Sequence, residues 1–125
     1  MPSSAAAPRA RGEAVERAAE NYLQQQGLQS ITHNFQRRGG EIDLIMREGA
    51  TLVFVEVRFR KTDNFGSPVE SVTPSKQRKL LQTAQLFLLA QPQWRNAPCR
   101  FDIVAARPAE NDAIQFEWIK NAFGA

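Results

Sequence analysis

The sequence predicts an α/β domain in which one mixed β-sheet is flanked by two helices. Three observations carry that prediction. Residues 12–26 and 74–90 place apolar side chains at helical spacing. Three short segments before the second helix, and one or two after it, carry apolar residues in the manner of strands. The resulting order, α-β-β-β-α-β plus a short C-terminal element, is that of a single layered sheet with helices against it.

Each element has its own justification. Residues 1–11, rich in Ser, Ala, Pro and Arg, read as a disordered tail before one domain spanning 12–125. In the first helix Val15, Ala18, Ala19, Tyr22 and Leu23 form one stripe, ended by Gly27. Residues 28–38 are a first strand with imperfect alternation through Ile31 and Phe35, and Gly39-Gly40 turns the chain. Glu41-Ile42-Asp43-Leu44-Ile45-Met46 alternates acidic with apolar residues, and residues 51–60 form the third strand. Gly49-Ala50 between them reads as a two-residue hairpin loop with Gly at the first central position. Residues 61–72, with Asn64, Gly66, Ser67 and Pro68, show no period and read as a long exposed loop. Thr73 then caps the second helix and Pro74 opens it. Its buried stripe is Leu80, Leu81, Ala84, Phe87 and Leu88. Residues 100–106 are a fourth strand, 114–118 a short fifth, and 119–123 a closing turn.

Composition narrows the class. The 42% hydrophobic and 23% charged content is that of an ordinary globular protein. No apolar run approaches the roughly 20 residues that span a bilayer, and the N-terminal residues lack the hydrophobic stretch of a secretory signal. A single cysteine, Cys99, excludes an internal disulfide framework and suits a reducing, cytoplasmic setting. Cys99 itself reads as a small buried residue. One histidine, His33, excludes histidine-pair catalysis; it reads as a solvent-facing or core residue. Asp102, between Phe101 and Ile103, reads as the anchor of a hydrogen-bond network, and Trp94 and Trp118 read as packing. The net charge is +3, and residues 37–79 hold nine basic against six acidic side chains. That surplus suits an anionic partner.

Chemistry concentrates in the hairpin. With Gly49 and Ala50 as its loop, Asp43 lies opposite Glu56, and Glu41 opposite Arg58. Directly opposed side chains sit about 4.5–5.5 Å apart at Cβ, where like charges repel. Phe54 shares a face with Glu56 and Ile45 with Asp43, so the carboxylates stand at the margin of apolar cover, where unpaired charge is costly. A divalent cation would turn the repulsion into binding. Carboxylate oxygens suit Mg²⁺ or Mn²⁺, which could polarise a phosphoryl oxygen or generate hydroxide. The same residues also read as a surface ion-pair ladder with Glu41 partnering Arg58.

Gly40-Glu41-Ile42-Asp43-Leu44-Ile45 followed by Phe54-Val55-Glu56-Val57-Arg58 resembles the signature of the restriction-endonuclease-like superfamily. With Gly12-Glu13-Ala14-Val15-Glu16, Thr73-Pro74-Ser75-Lys76-Gln77 and Cys99-Arg100-Phe101-Asp102, the chain resembles the YraN family of small bacterial proteins, related to archaeal Holliday-junction resolvases. The resemblance implies a restriction-endonuclease-like core and a metal-dependent DNA endonuclease that hydrolyses phosphodiesters, on branched or junction DNA. The alternative is a non-catalytic nucleic-acid-binding module of the same fold. Asp43, Glu56 and Glu16 match the metal-binding carboxylates for Mg²⁺ or Mn²⁺. Arg58 stands in the catalytic place where lysine is usual; arginine keeps its proton but can grip a phosphate with two prongs. Lys76 matches a family lysine able to touch phosphate. Arg60, Lys61 and Arg38 are candidate contacts to the nucleic-acid backbone. A homodimer is implied as well, and no membrane.

Overall fold

The computed structural model describes residues 8–60 and 66–124, of which residues 8–11 in backbone alone. Its elements run α1 (Pro8–Gln25), β1 (Gln29–Arg37), β2 (Gly40–Glu48), β3 (Thr51–Phe59), α2 (Pro74–Ala90), β4 (Cys99–Pro108) and β5 (Ile114–Phe123). The strands form one sheet in the order β1-β2-β3-β4-β5. All neighbours are antiparallel except β3 and β4, which α2 connects as a parallel pair. The mixed sheet with two helices is therefore as the sequence predicts.

Leu52 to Val55 are buried without interruption, which requires cover on both sides of the sheet. Alternate residues divide between those covers. Leu52, Phe54, Phe101 and Ile103 pack with Leu80, Ala84 and Phe87 of α2. Val53, Val55 and Val104 pack with Ala19 and Leu23 of α1. On the α2 side Phe54 stacks on Phe101 at 5.2 Å, and Phe101 on Phe123 at 5.1 Å.

Several expectations shift. α1 starts at Pro8, inside the segment expected as a tail; proline suits a first helical turn because its missing N–H would find no partner there. Residues 1–7 of that tail lie outside the described residues. Residues 119–123 continue β5 instead of turning away. Between Ile103↔Ile119 and Phe101↔Phe123, β5 carries two residues more than β4. Asn121 takes a left-handed φ of 52° in that bulge, and its N–H donates to Asp102 Oδ1 at 2.9 Å. Asp102 also accepts from Arg100 Nε at 3.0 Å and Trp118 Nε1 at 2.9 Å, so the expected network is there. Cys99 is exposed rather than buried, because it opens β4 at the end of the sheet. His33 faces solvent.

Helix α2 sits unusually close to β2. A Cβ on Gly40 would collide with the Thr83 hydroxyl and meet the Lys79 carbonyl at 3.3 Å. Thr83, buried and absent from the expected stripe, bonds its own turn through Lys79 O at 2.8 Å. Leu81 and Leu88 only flank the core. Thr73 accepts from the Lys76 N–H at 3.2 Å. Thr73→Ala should lower stability by about 1 kcal/mol, read as a urea midpoint; an unchanged midpoint would show the cap to be inert. Among the described residues no helix is long and apolar enough to cross a membrane.

Candidate active site

The β2–β3 hairpin has the expected register, from Glu48↔Thr51 at the loop to Leu44↔Val55. There the paired ladder ends. Leu44 and Met46 face α1, yet Ile42 joins Ile45 against α2, so strict alternation slips at Asp43. The Asp43 carboxylate lies in the gap between the strands, where its Oδ2 accepts the Val57 N–H at 2.8 Å. A side chain thus does the work of a ladder carbonyl, and the two strands part around it.

Glu56, on the next position of β3, is only 4% exposed. Its Oε2 meets Arg58 Nη1 at 3.3 Å and Lys76 Nζ at 3.6 Å. Its Oε1 is buried and no donor reaches it. Burial pushes the Glu56 carboxyl up to about 8; the charge of Asp43 adds to the rise, and Lys76 and Arg58 oppose it. Burial likewise raises Asp43, against the pull of the Val57 N–H. Glu16, partly buried on α1, is raised to about 7 by burial, then by Asp43 and Glu41. Asp43 stands within hydrogen-bonding reach of both glutamates. Three carboxyl groups so placed need a shared proton or a cation between them.

The remaining expected residues divide. Arg58 donates Nε to Ser71 Oγ at 3.3 Å, Nη2 to Ser71 O at 2.9 Å and Nη1 to Glu56, so it ties β3 to the 67–71 turn. It does not meet Glu41. Glu41 lies opposite Gln36 of β1 and accepts from Gln36 Nε2 at 3.1 Å, which corrects the expected Glu41–Arg58 pair. The cause is the parting of the strands above Leu44. Lys76, expected as a phosphate contact, reaches the carboxylates themselves. Arg60 follows β3, Arg38 is exposed at the β1–β2 turn, and Lys61 lies outside the described residues.

The sequence reading missed Ser71. The signal was available: Ser67 N–H donates to Glu70 Oε1 at 2.8 Å while Glu70 N–H donates to Ser67 Oγ at 3.2 Å, a reciprocal cap spelled Ser-x-x-Glu. The described part of the expected loop is therefore ordered around Pro68–Ser71 by its own side chains.

Asp43, Glu56 and Glu16 are the residues that would hold a divalent cation. Among the described residues no three acidic, His or Cys side chains are set to enclose an ion unaided. The donor set instead fits an ion that takes one or two carboxylates and keeps its waters, as Mg²⁺ does. The orphaned Oε1 of Glu56 is the atom that such an ion would satisfy.

An α/β domain of this topology, with an acidic cluster where two central strands part, defines the class. The profile of the uncharacterised protein family UPF0102 matches residues 15–106, and the chain belongs to that family, the YraN-like one that its motifs suggest. A UPF0102 protein of Pseudomonas putida (strain GB-1) is 45% identical over 119 residues, 95% of this chain and 97% of its own. One of Saccharophagus degradans is 51% identical over 112 residues, covering 90% and 91%. Another, of Xanthomonas euvesicatoria pv. vesicatoria, is 49% identical over 120 residues, covering 96% of each. Their names state the family and no activity.

Proposed function

We propose that this protein is a metal-dependent DNA endonuclease of restriction-endonuclease-like architecture, hydrolysing phosphodiesters in branched DNA. One observation carries the reading: a buried glutamate oxygen with no donor, beside a second carboxylate, at the point where the sheet opens. Mg²⁺ or Mn²⁺ held there by Asp43 and Glu56, with Glu16 alongside, would supply Lewis-acid polarisation of a phosphoryl oxygen and a more acidic water. Lys76 brings the ammonium that superfamily members usually carry at the position of Arg58, and it approaches from α2. Arg58 holds the turn and steadies Glu56, with its remaining N–H groups free for a phosphate oxygen. The surplus of basic residues around the cluster favours DNA, a homodimer suits a two-fold junction, and the cytoplasm suits the exposed thiol of Cys99.

A second reading is favoured by one detail. Arg58 has three donor groups committed to Glu56 and Ser71, so the chain could bind nucleic acid in this fold without efficient chemistry. Both are tested together. Four-way junctions, flaps, linear duplex and single strands are incubated with the protein in Mn²⁺, Mg²⁺ or EDTA, beside Asp43→Ala and Glu56→Ala. Metal-dependent cutting that falls at least a hundredfold in both variants is the expected result. Salt-sensitive binding without cutting would select the second reading, and neither activity would overturn both.

A further inference from the structure

Carboxylate chemistry leaves a neighbouring cleft without a role. Because β2 parts from β3 above Leu44↔Val55, β3 beyond Glu56 keeps a strand partner only on the β4 side among the described residues. There the ladder continues to Phe59↔Ala106, and Arg60 N–H donates to Ala106 O at 2.9 Å. Among the described residues no strand pairs with its other edge, and side chains from both faces of the strand line one cleft. Val57, Arg58, Phe59, Arg60 and Ser71 line an open cleft of about 440 Å³. Val57 and Arg58 join it to the carboxylates, through Asp43 and Glu56 respectively.

Two features of its lining point to a ligand of mixed character. Phe59 is 44% exposed, and among the described residues it is the aromatic one of the exposed large apolar side chains. Arg60 Nη2 is buried and has no hydrogen-bond partner; the Glu70 carboxylate interacts with this guanidinium through its charge alone. A guanidinium N–H withdrawn from water without an acceptor is unfavourable, and an arriving anion would relieve it. An open ring face beside such a group matches a nucleotide: a π-face for the ring and a phosphate for the guanidinium. Bases inside a duplex have both faces covered by neighbours, so only an unpaired base can present one.

We propose that this cleft holds an unpaired nucleotide next to the scissile phosphate, with its base stacked on Phe59 and its phosphate bound by Arg60. The inference rests on the nuclease reading and deepens it: the substrate carries a single-stranded segment at the cleavage point, as a flap does, and is not continuous duplex. Phe59 and Arg60 are specificity-determining residues in this scheme.

The test uses the full chain with Ca²⁺ in place of Mg²⁺. Its probes are a flap oligonucleotide carrying 2-aminopurine as the first unpaired base, and a nicked duplex of the same sequence. Binding of the flap should quench the 2-aminopurine. Phe59→Ala should abolish the quenching and weaken flap binding about tenfold, with duplex binding unchanged, while Phe59→Trp restores both. Arg60→Ala should lower the slope of flap binding against salt by about one counterion. Thermal midpoints confirm that each variant folds; Phe59 is exposed, so its replacement leaves the core intact. Wild-type quenching and flap affinity retained in Phe59→Ala would overturn this inference alone. So would metal-dependent cutting of flap and duplex at equal rates. If wild type binds neither DNA, the nuclease reading falls and this inference with it.

Discussion

Glu56→Gln should make the metal-free protein more stable at pH 8, and should abolish any stabilisation by Mn²⁺ or Mg²⁺. Burial raises the folded-state pKa of Glu56 from its ordinary 4.5 to about 8. Between those values the folded protein holds a proton that the unfolded chain has released. Stability is therefore fully present below about pH 4.5 and is lost as pH rises toward 8. Glu16, raised to about 7, slopes the same way. Each pH unit of such a window is worth about 1.4 kcal/mol for one proton; solvent screening makes the share of the half-exposed Glu16 small, and the carboxyls of Glu16, Asp43 and Glu56 interact, so the whole effect is a few kcal/mol, most of it from Glu56. Glutamine removes the charge and supplies an N–H to Asp43. Arg58 and Lys76 lose their partner in exchange, but both retain water contact, with side chains 34% and 40% exposed. A divalent cation held as proposed would require the deprotonated cluster, so its gain in thermal midpoint should grow from pH 5 to pH 8 in wild type and vanish in Glu56→Gln. A wild-type midpoint that is flat from pH 5 to 8 and indifferent to Mn²⁺ would sink the idea.

Asp102→Ala should be the most destabilising single truncation of a polar residue, at about 3–5 kcal/mol by urea denaturation. Asp102 is fully buried and accepts from Arg100, Trp118 and the Asn121 backbone. Alanine strands those three donors and removes the acceptor that pins the β5 bulge. Arg100 keeps Glu48 at 2.8 Å, which limits the loss on that side. Asp102→Asn should cost less, because one carbonyl oxygen remains. Asp102 points away from the face of Glu56, so the cation response should survive in either variant. A loss below about 1 kcal/mol for alanine would mean that water enters and replaces the carboxylate.

What could be read from the sequence, and what could not, follows from the range of the interactions. The hairpin was legible because Gly49, with its φ of 60°, fixes a two-residue loop, and the loop fixes every pair down to Leu44↔Val55. Thr73-Pro74 was legible because capping is a local hydrogen bond. The bulge at Asn121 was not, since it depends on Asp102 from another strand. Nor was the separation of Glu41 from Arg58: local alternation predicts that they face each other, and the divergence of β2 toward β1 decides otherwise. The same divergence leaves that edge of β3 without a strand partner among the described residues and makes the cleft beside Phe59, which no pattern within β3 announces. Lys76 is the opposite case. Its motif marked it, but only the docking of α2 on the sheet tells which charges it meets.

That docking depends on a missing methyl. Gly40 lets the Thr83 turn settle directly on the β2 backbone, and Lys76, Leu80 and Thr83 follow one another along the same side of the helix. The depth of that contact gauges how far the Lys76 ammonium extends over Glu56. Chemistry at one end of the sheet is thereby geared to a steric fit at the start of β2, and a bulkier residue there would retune the site without touching any of its charged groups.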